Sequence, residues 1–275
     1  MAQECDRCDQ MLKRTMTAII GLPILIFLIV MGGMWLRILL LALSLVGLYE
    51  FYNALSKKVL AIHFTGYIFS VLYFLVIIEY GVHVYLLIML LAFILITKAM
   101  LVIFYQKIDF KDCLITICGF FYVPFLLSFI YFVRDSNVYF VWLILISASA
   151  SDTFAYMVGR MCGRHKLVGT PSPGKTWEGC IGGVIGAGLV GFIYVHLAAH
   201  FTGTNLPMMI IMAVSIMGAI FSQFGDLYGS AIKRYAGIKD FGKILPGHGG
   251  VLDRIDSVIV AAPVVYMVMI WMLSL

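Results

Sequence analysis

The sequence predicts an all-α polytopic membrane protein of about nine transmembrane helices, with its N-terminus in the cytoplasm. Three observations carry this reading. Of the 275 residues, 63% are hydrophobic and only 12% are charged, about half the charge of an ordinary soluble domain. Apolar runs such as VYLLIMLLAFILI are unbroken. They lack the alternation of a barrel strand, so of the two structures that satisfy backbone polar groups in lipid, the helix is selected. Basic residues collect in alternate loops, as the positive-inside rule requires of a chain that weaves through a bilayer.

A hydrocarbon core ~30 Å thick takes about 20 residues per helix. Spans are therefore expected at about 16–33, 35–54, 62–80, 83–104, 113–133, 138–158, 177–200, 207–231 and 251–273. The first follows a tail with Arg7, Lys13 and Arg14; its apolar run is long and has no clear small-residue cleavage site, unlike a signal peptide. The second carries Glu50 near its cytoplasmic end. A carboxylate in a membrane helix is a functional candidate by default, with capping or pairing as the alternative. Lys57 and Lys58 follow it. The fourth span carries Lys98, close enough to its end to snorkel, and Lys107 and Lys111 come after. The loops on the opposite side hold only Arg134. After the sixth span stand Arg160, Arg164, Lys166 and Lys175, and after the eighth Lys233, Arg234, Lys239 and Lys243. The net charge of +5 is thus mostly a topology signal. It also attracts anionic lipid headgroups, and it does not point to nucleic acid.

The two halves differ. Residues 1–145 are Leu, Ile, Phe and Tyr with few polar atoms, and read as a scaffold. From about 145 small and polar residues appear, in SASASDTFAY, GCIGGVIGAG and FSQFGDLYGS, so residues 146–275 read as the bundle that carries the chemistry, with two cytoplasmic loops. Gly179, Gly183, Ala187 and Gly191 recur every four residues, a small-residue stripe along which helices approach closely. No internal repeat marks the inverted halves of a transporter. The six cysteines do not form a disulfide pattern, since most fall on or near the reducing side. Cys5 and Cys8 have C-x-x-C spacing, but the second half of a zinc site is missing.

Charged groups in or beside the later spans are the main chemical evidence: Asp152, Glu178, Asp226, Asp253, Arg254 and Asp256. Each is costly if it faces lipid unpaired, and by the expected topology all stand at cytoplasmic helix ends. Clustering at one depth indicates a site that opens to the cytoplasm rather than an ion path. Asp253 and Asp256 are i and i+3, and Ser222, Asp226 and Ser230 are i, i+4 and i+8, so each set shares a helix face. The stretch KRYAGIKDFGKILPGHGG packs four cations, Asp240, His248 and five glycines into eighteen residues. Such a loop sets cations against phosphates while its glycines let the backbone come close. Grouped carboxylates suit Mg²⁺, which often bridges protein to substrate phosphates; a salt-bridge knot that ties helix ends together is the alternative.

The segment GTPSPGKT matches the bare P-loop pattern G-x-x-x-x-G-K-T. That pattern works only between a strand and a helix of an αβ sheet. Here membrane spans stand on both sides, and Pro171 and Pro173 stiffen the would-be cradle, so the P-loop fold is excluded. The local physics survives, because Lys175 and Thr176 stand at a helix start, where free N–H groups and the dipole attract anions. Glu178 lies in the first turn of the same helix.

The run SAIKRYAGIKDFGKILPGHGGVLDRID, Ser230 to Asp256, resembles the signature of the phosphatidate cytidylyltransferase (CDP-diacylglycerol synthase) family, with no departure from it. SDTFAYMVGRMCGRHKL and SPGKTWEG resemble the same family, so recognisable motif covers about residues 149 to 256. The resemblance implies transfer of the cytidylyl group of CTP to phosphatidic acid, giving CDP-diacylglycerol and pyrophosphate. It also implies a nine-helix enzyme of the cell membrane, acting as a homodimer in the lipid bilayer, with Mg²⁺ and K⁺ as a second ion. By the family pattern Asp226, Asp253 and Asp256 are the metal carboxylates. The catalytic candidates are these three with Lys239 and Asp240. The substrate-binding candidates are Asp152, Ser172, Lys175, Thr176, Glu178, Ser230, Lys233, Arg234, Lys243, His248 and Arg254. The competing readings are a CTP-dependent polyprenol kinase, which would have to activate a neutral hydroxyl, and a cation transporter.

Overall fold

The apolar runs become helices. The computed structural model describes residues 19, 21, 23–55, 61–80, 84–167, 169, 171–244 and 249–274. In chain order the helices are α1 (Gly33–Leu55), α2 (Ala61–Tyr80), α3 (Val84–Ile103), α4 (Phe110–Phe120), α5 (Phe129–Ser136), α6 (Val138–Cys162), α7 (Trp177–Thr202), α8 (Met208–Tyr235) and α9 (Leu252–Leu273). Residues 23–31, ahead of α1, are also helical. Among the described residues seven helical runs are long and apolar enough to cross a membrane, which makes the chain a multi-pass membrane protein. The start of the first expected span, Cys5, Cys8, Lys57, Lys58 and His248 lie outside the described residues.

Two features depart from the expected spans. The fifth is not one regular α-helix: between α4 and α5 the residues Phe121–Phe125 form a π-helical turn that contains Pro124. Proline has no N–H to give to the ladder, and a widened turn is a usual way for a helix to absorb such a break. The second departure is length. α6 runs to Cys162 and α8 to Tyr235. Arg160, Lys233 and Arg234 therefore sit on the last turns of helices, where cations complement the negative end of the dipole, and not in the loops.

The chain divides into two compact units, residues 1–131 with 236–254 and residues 132–235 with 255–275. The segment 236–254, a loop with the first turn of α9, groups with the first unit. That unit is built on aromatic packing. Tyr73, Phe74, Phe93 and Phe120 are fully buried, with the Phe93 and Phe120 rings 4.5 Å apart, and Tyr73 shares a 2.9 Å hydrogen bond with Ser128. Nearby, Tyr52 stacks on His63, whose Nδ1 lies 2.9 Å from Thr116 Oγ1.

The second unit packs by small residues instead. Lipid is as apolar as leucine, so helices in it gain from close contact rather than from burial. The stripe on α7 finds its partners in this same chain. A Cβ added at Gly179 or Gly183 would stand 2.7 Å from the carbonyl oxygen of Ala155 or Ser151 on α6. Gly191 faces Ser215 of α8 in the same way. On α8, Gly225 admits α9, where an added Cβ would lie 2.6 Å from the Asp256 carbonyl oxygen. Leucine or isoleucine at these positions would hold the backbones apart.

Candidate active site

The C-terminal end of α6, the N-terminal end of α7 and the C-terminal end of α8 come together in the second unit around a cavity of about 430 Å³. α6 supplies Asp152, Tyr156 and Arg160, spaced four apart on one face, and the Arg160 Nη1 donates to the Tyr156 hydroxyl at 3.1 Å. α7 supplies its start, Lys175 and Thr176, with Gly179 and Cys180 behind them. Thr176 is the N-cap: its backbone is extended and its Oγ1 accepts from the Gly179 N–H at 3.2 Å. α8 supplies Gln223 and Asp226.

A short crossing places Lys175 there. Lys166 and Thr176 form an isolated antiparallel bridge, Leu167 N–H donates to the Lys175 carbonyl at 2.9 Å and Trp177 N–H to the His165 carbonyl at 3.0 Å. Among the described residues GTPSPGKT has no strand before it, in keeping with exclusion of the P-loop. Glu178 turns back onto this crossing, 2.5 Å from His165 Nδ1 and 3.2 Å from its N–H. It closes the loop rather than facing the cavity.

The Lys175 ammonium pairs with Asp226, both side chains being about a quarter to a third exposed. Gln223 spends both amide hydrogens on neighbouring helices, donating to Ser151 Oγ at 2.9 Å and to the Cys180 carbonyl at 3.0 Å. It thereby ties α6, α7 and α8 around the cavity.

The remaining expected site residues are placed as follows. Asp256 is buried, with Oδ1 accepting from Ser257 N–H at 2.8 Å and Oδ2 lying 3.9 Å from Lys233 Nζ. Gly229 of α8 leaves room for it, since a Cβ there would reach within 2.8 Å of Oδ2. Arg234 donates from Nε to the Pro171 carbonyl at 3.4 Å, joining the end of α8 to the loop that holds Ser172. Ser230 is half-buried on α8. Lys239, Asp240, Lys243 and Arg254 are exposed, the first three in the loop of the first unit.

In that unit two carboxylates hold the loop. Asp253 Oδ2 accepts from the Phe241 N–H at 2.8 Å and the Gly250 N–H at 3.0 Å. Glu50, 1% exposed, accepts from the Val251 N–H at 3.0 Å and the Leu252 N–H at 2.7 Å, at the start of α9. Gly242 and Gly250 press against the Glu50 carboxylate, where a side chain would collide with it. Of the two readings left open for Glu50, capping is the one its contacts display.

Within either unit, no three described His, Cys, Asp or Glu side chains form a group able to enclose a metal ion. The cavity's donor set nevertheless fits Mg²⁺, which usually takes one or two carboxylates and completes its shell with water and substrate phosphates. Asp152 and Asp226 face one cavity, and the Lys175 cation already rests against Asp226.

Three cavity residues stand out little in the sequence. Arg160 reads there only as a topology charge, although it continues the Asp152–Tyr156 spacing by one further turn. Gln223 is a polar residue one turn before Asp226 in an apolar helix. Cys180 carries no pattern of its own.

A protein-family model described as the cytidylyltransferase family matches residues 12–272. The chain is 34% identical over 266 residues to a phosphatidate cytidylyltransferase of Staphylococcus haemolyticus, covering 94% of this chain and 99% of that one. It is 33% identical over 262 residues to the Staphylococcus aureus (strain COL) protein of the same name, with 94% and 98% covered. The Staphylococcus epidermidis protein of that name is 32% identical over 261 residues, with the same coverage.

Proposed function

The chain belongs to the cytidylyltransferase family, and from that premise we propose that the cavity between α6, α7 and α8 is where its reaction takes place. The reaction is transfer of the cytidylyl group of CTP to phosphatidate, giving CDP-diacylglycerol and pyrophosphate. The observation that carries the assignment to this cavity is the Lys175–Asp226 pair at the capped start of α7, beside Asp152 and Arg160.

In chemical terms, a phosphate oxygen of phosphatidate forms a bond to the α-phosphorus of CTP. The bond from that phosphorus to the oxygen bridging α and β breaks, and pyrophosphate carries the electron pair away. A phosphomonoester is largely ionised at neutral pH, so no strong base is required, and a cavity with Asp, Lys and Arg is sufficient. Such transfers rely on positioning and on neutralising charge. Lys175 and Arg160 neutralise phosphate oxygens in the cavity, and the N-terminal end of α7 favours an anion beside Thr176. Lys233 and Arg234, with Lys239 and Lys243, are the further cations assigned to the triphosphate. Mg²⁺, when bound, supplies charge neutralisation at the phosphates and stabilises the leaving group. Asp226 and Asp152 would hold it from the cavity, with Asp253 and Asp256 the further carboxylates that the family pattern assigns. K⁺ as a second ion and assembly as a homodimer belong to the same reading.

The test is purified protein with phosphatidate and CTP labelled at either the α- or the γ-phosphate. The α-label should appear in lipid and the γ-label in pyrophosphate, with both lost when a chelator removes Mg²⁺ and restored when it is returned. Entry of the γ-label alone into lipid would mean a kinase.

We also infer that the cavity faces the cytoplasm. Arg160, Arg164, Lys166, Lys175, Lys233 and Arg234 all lie at the cavity end of α6, α7 and α8, while residues 203–207 at the other end carry no charge. In intact cells, cysteines introduced at Lys166 or Lys243 should resist a membrane-impermeant thiol reagent, and one introduced at Asn137 should react. Labelling of the first two from outside would reverse the orientation.

A further inference from the structure

Next to the polar cavity, on the outward side of α7 and α8, lies a second hollow of about 340 Å³. Its walls are Trp177, Ile181 and Ile185 of α7 with Ile220, Phe224 and Leu227 of α8. The two hollows share two residues, Cys180 and Gln223. One is lined by carboxylates and cations, the other almost wholly by hydrocarbon, and the Gln223 amide that fastens α7 to α6 stands on the boundary.

We propose that the apolar hollow is the seat of an acyl chain of the phosphatidate being converted, with its phosphate in the adjoining polar cavity. This rests on the reaction assigned above. Continuity selects the occupant. A molecule that fills both hollows must be anionic at one end and hydrocarbon directly beyond it, and must reach the site from within the bilayer. Of the two substrates only phosphatidate meets this; CTP has no apolar part. Three of the α7 side chains that line the hollow, Trp177, Ile181 and Ile185, are more than half exposed on the helix surface, so a chain can enter sideways from the membrane without threading through the protein. Gln223 and Cys180 then mark the level of the glycerol backbone. Gln223 is a positioning residue that keeps the two hollows joined.

The prediction separates long from short lipids. Ile185→Trp and Ile220→Trp fill the hollow. They should raise KM for dioleoyl-phosphatidate about five- to twentyfold, the effect expected when a few methylenes lose their contact. KM for CTP should stay as in the wild type, and KM for dihexanoyl-phosphatidate, whose short chains occupy only the part of the hollow next to Gln223 and Cys180, should rise far less than that for the long-chain lipid. Ile185→Ser, which adds no bulk, should move KM for the long-chain lipid in the same direction, and it keeps the test open if a tryptophan variant fails to fold. A phosphatidate with a diazirine in its acyl chain should crosslink to α7 or α8 of the wild-type protein and be displaced by unlabelled phosphatidate but not by phosphatidylcholine. Equal effects on long- and short-chain substrates, or equal displacement by phosphatidylcholine, would mean that ordinary bilayer lipid fills the hollow and would overturn the proposal. Absence of cytidylyl transfer in the wild type would instead overturn the reaction on which it rests.

Discussion

Asp226→Asn should lower cytidylyl transfer at least about a hundredfold while the protein stays folded in the membrane. Asn keeps the size of Asp and removes the charge that faces Lys175 and that a divalent cation needs. Each charge-assisted contact is worth about 1.5–3 kcal/mol, roughly ten- to a hundredfold in rate, and Asp226 is assigned more than one. The stability cost should be small, on the order of 1 kcal/mol, because the pair with Lys175 is partly open to water and such pairs contribute little. Lys175→Ala should act on nucleotide use, raising KM for CTP about ten- to a hundredfold and leaving KM for phosphatidate near its wild-type value. Asp135→Asn, on α5 and away from the cavity, should be silent. The competing view is that Lys175 and Asp226 only tie α7 to α8. In that case each single variant should lose stability and activity in parallel, and the double variant Lys175→Met with Asp226→Leu should recover both. Recovery of activity in the double variant would remove the pair from the site; recovery of stability without activity confirms its chemical role. Thermal unfolding in detergent and steady-state kinetics on the same samples decide between them.

Glu50→Ala should have the opposite signature, a large loss of stability that takes activity with it. The Glu50 carboxylate is buried and accepts the N–H groups of Val251 and Leu252. Removing it strands two buried donors at the start of α9 and leaves a gap against which Gly242 and Gly250 were packed. Hydrogen bonds to a charged group are worth about 1.5–3 kcal/mol each, so the expected cost is about 3 kcal/mol or more. For a chain of this size that is a fall of about 6–12 °C in Tm. Glu50→Gln should recover part of this, since its one carbonyl oxygen satisfies one donor while its NH₂ faces the other. Loss of turnover with an unchanged Tm would show that Glu50 acts on a substrate and is not the fastener of the 236–254 loop. Asp253→Asn invites the same comparison. Its Oδ2 already holds Phe241 and Gly250, so a variant that loses only turnover would support the metal role, and one that loses both would assign it to the loop.

Much of this protein was legible from the residue order alone. The seven long helical runs fall within a few residues of the expected spans, because transfer from water to lipid is a property each residue brings with it and sums along a window. The start of α7 at Lys175 and Thr176 followed from the apolar run that begins at Trp177, and the cap that Thr176 adds there is a local arrangement. The fastening of Glu50 was not legible, because its partners lie 201 and 202 residues away. A carboxylate in an apolar helix says only that something must satisfy it. Likewise the glycines of α7 announced a close approach without naming α6 and α8 as the helices that come close. Gln223 showed only as a polar residue in an apolar helix, because its role is the meeting of three helices, with Ser151 and Cys180 as its acceptors. Hydropathy and capping act over one or two turns and are written in the order of residues. Which faces meet, and hence which polar groups share a cavity, depends on packing between distant segments, where a single Cβ is enough to hold two helices apart.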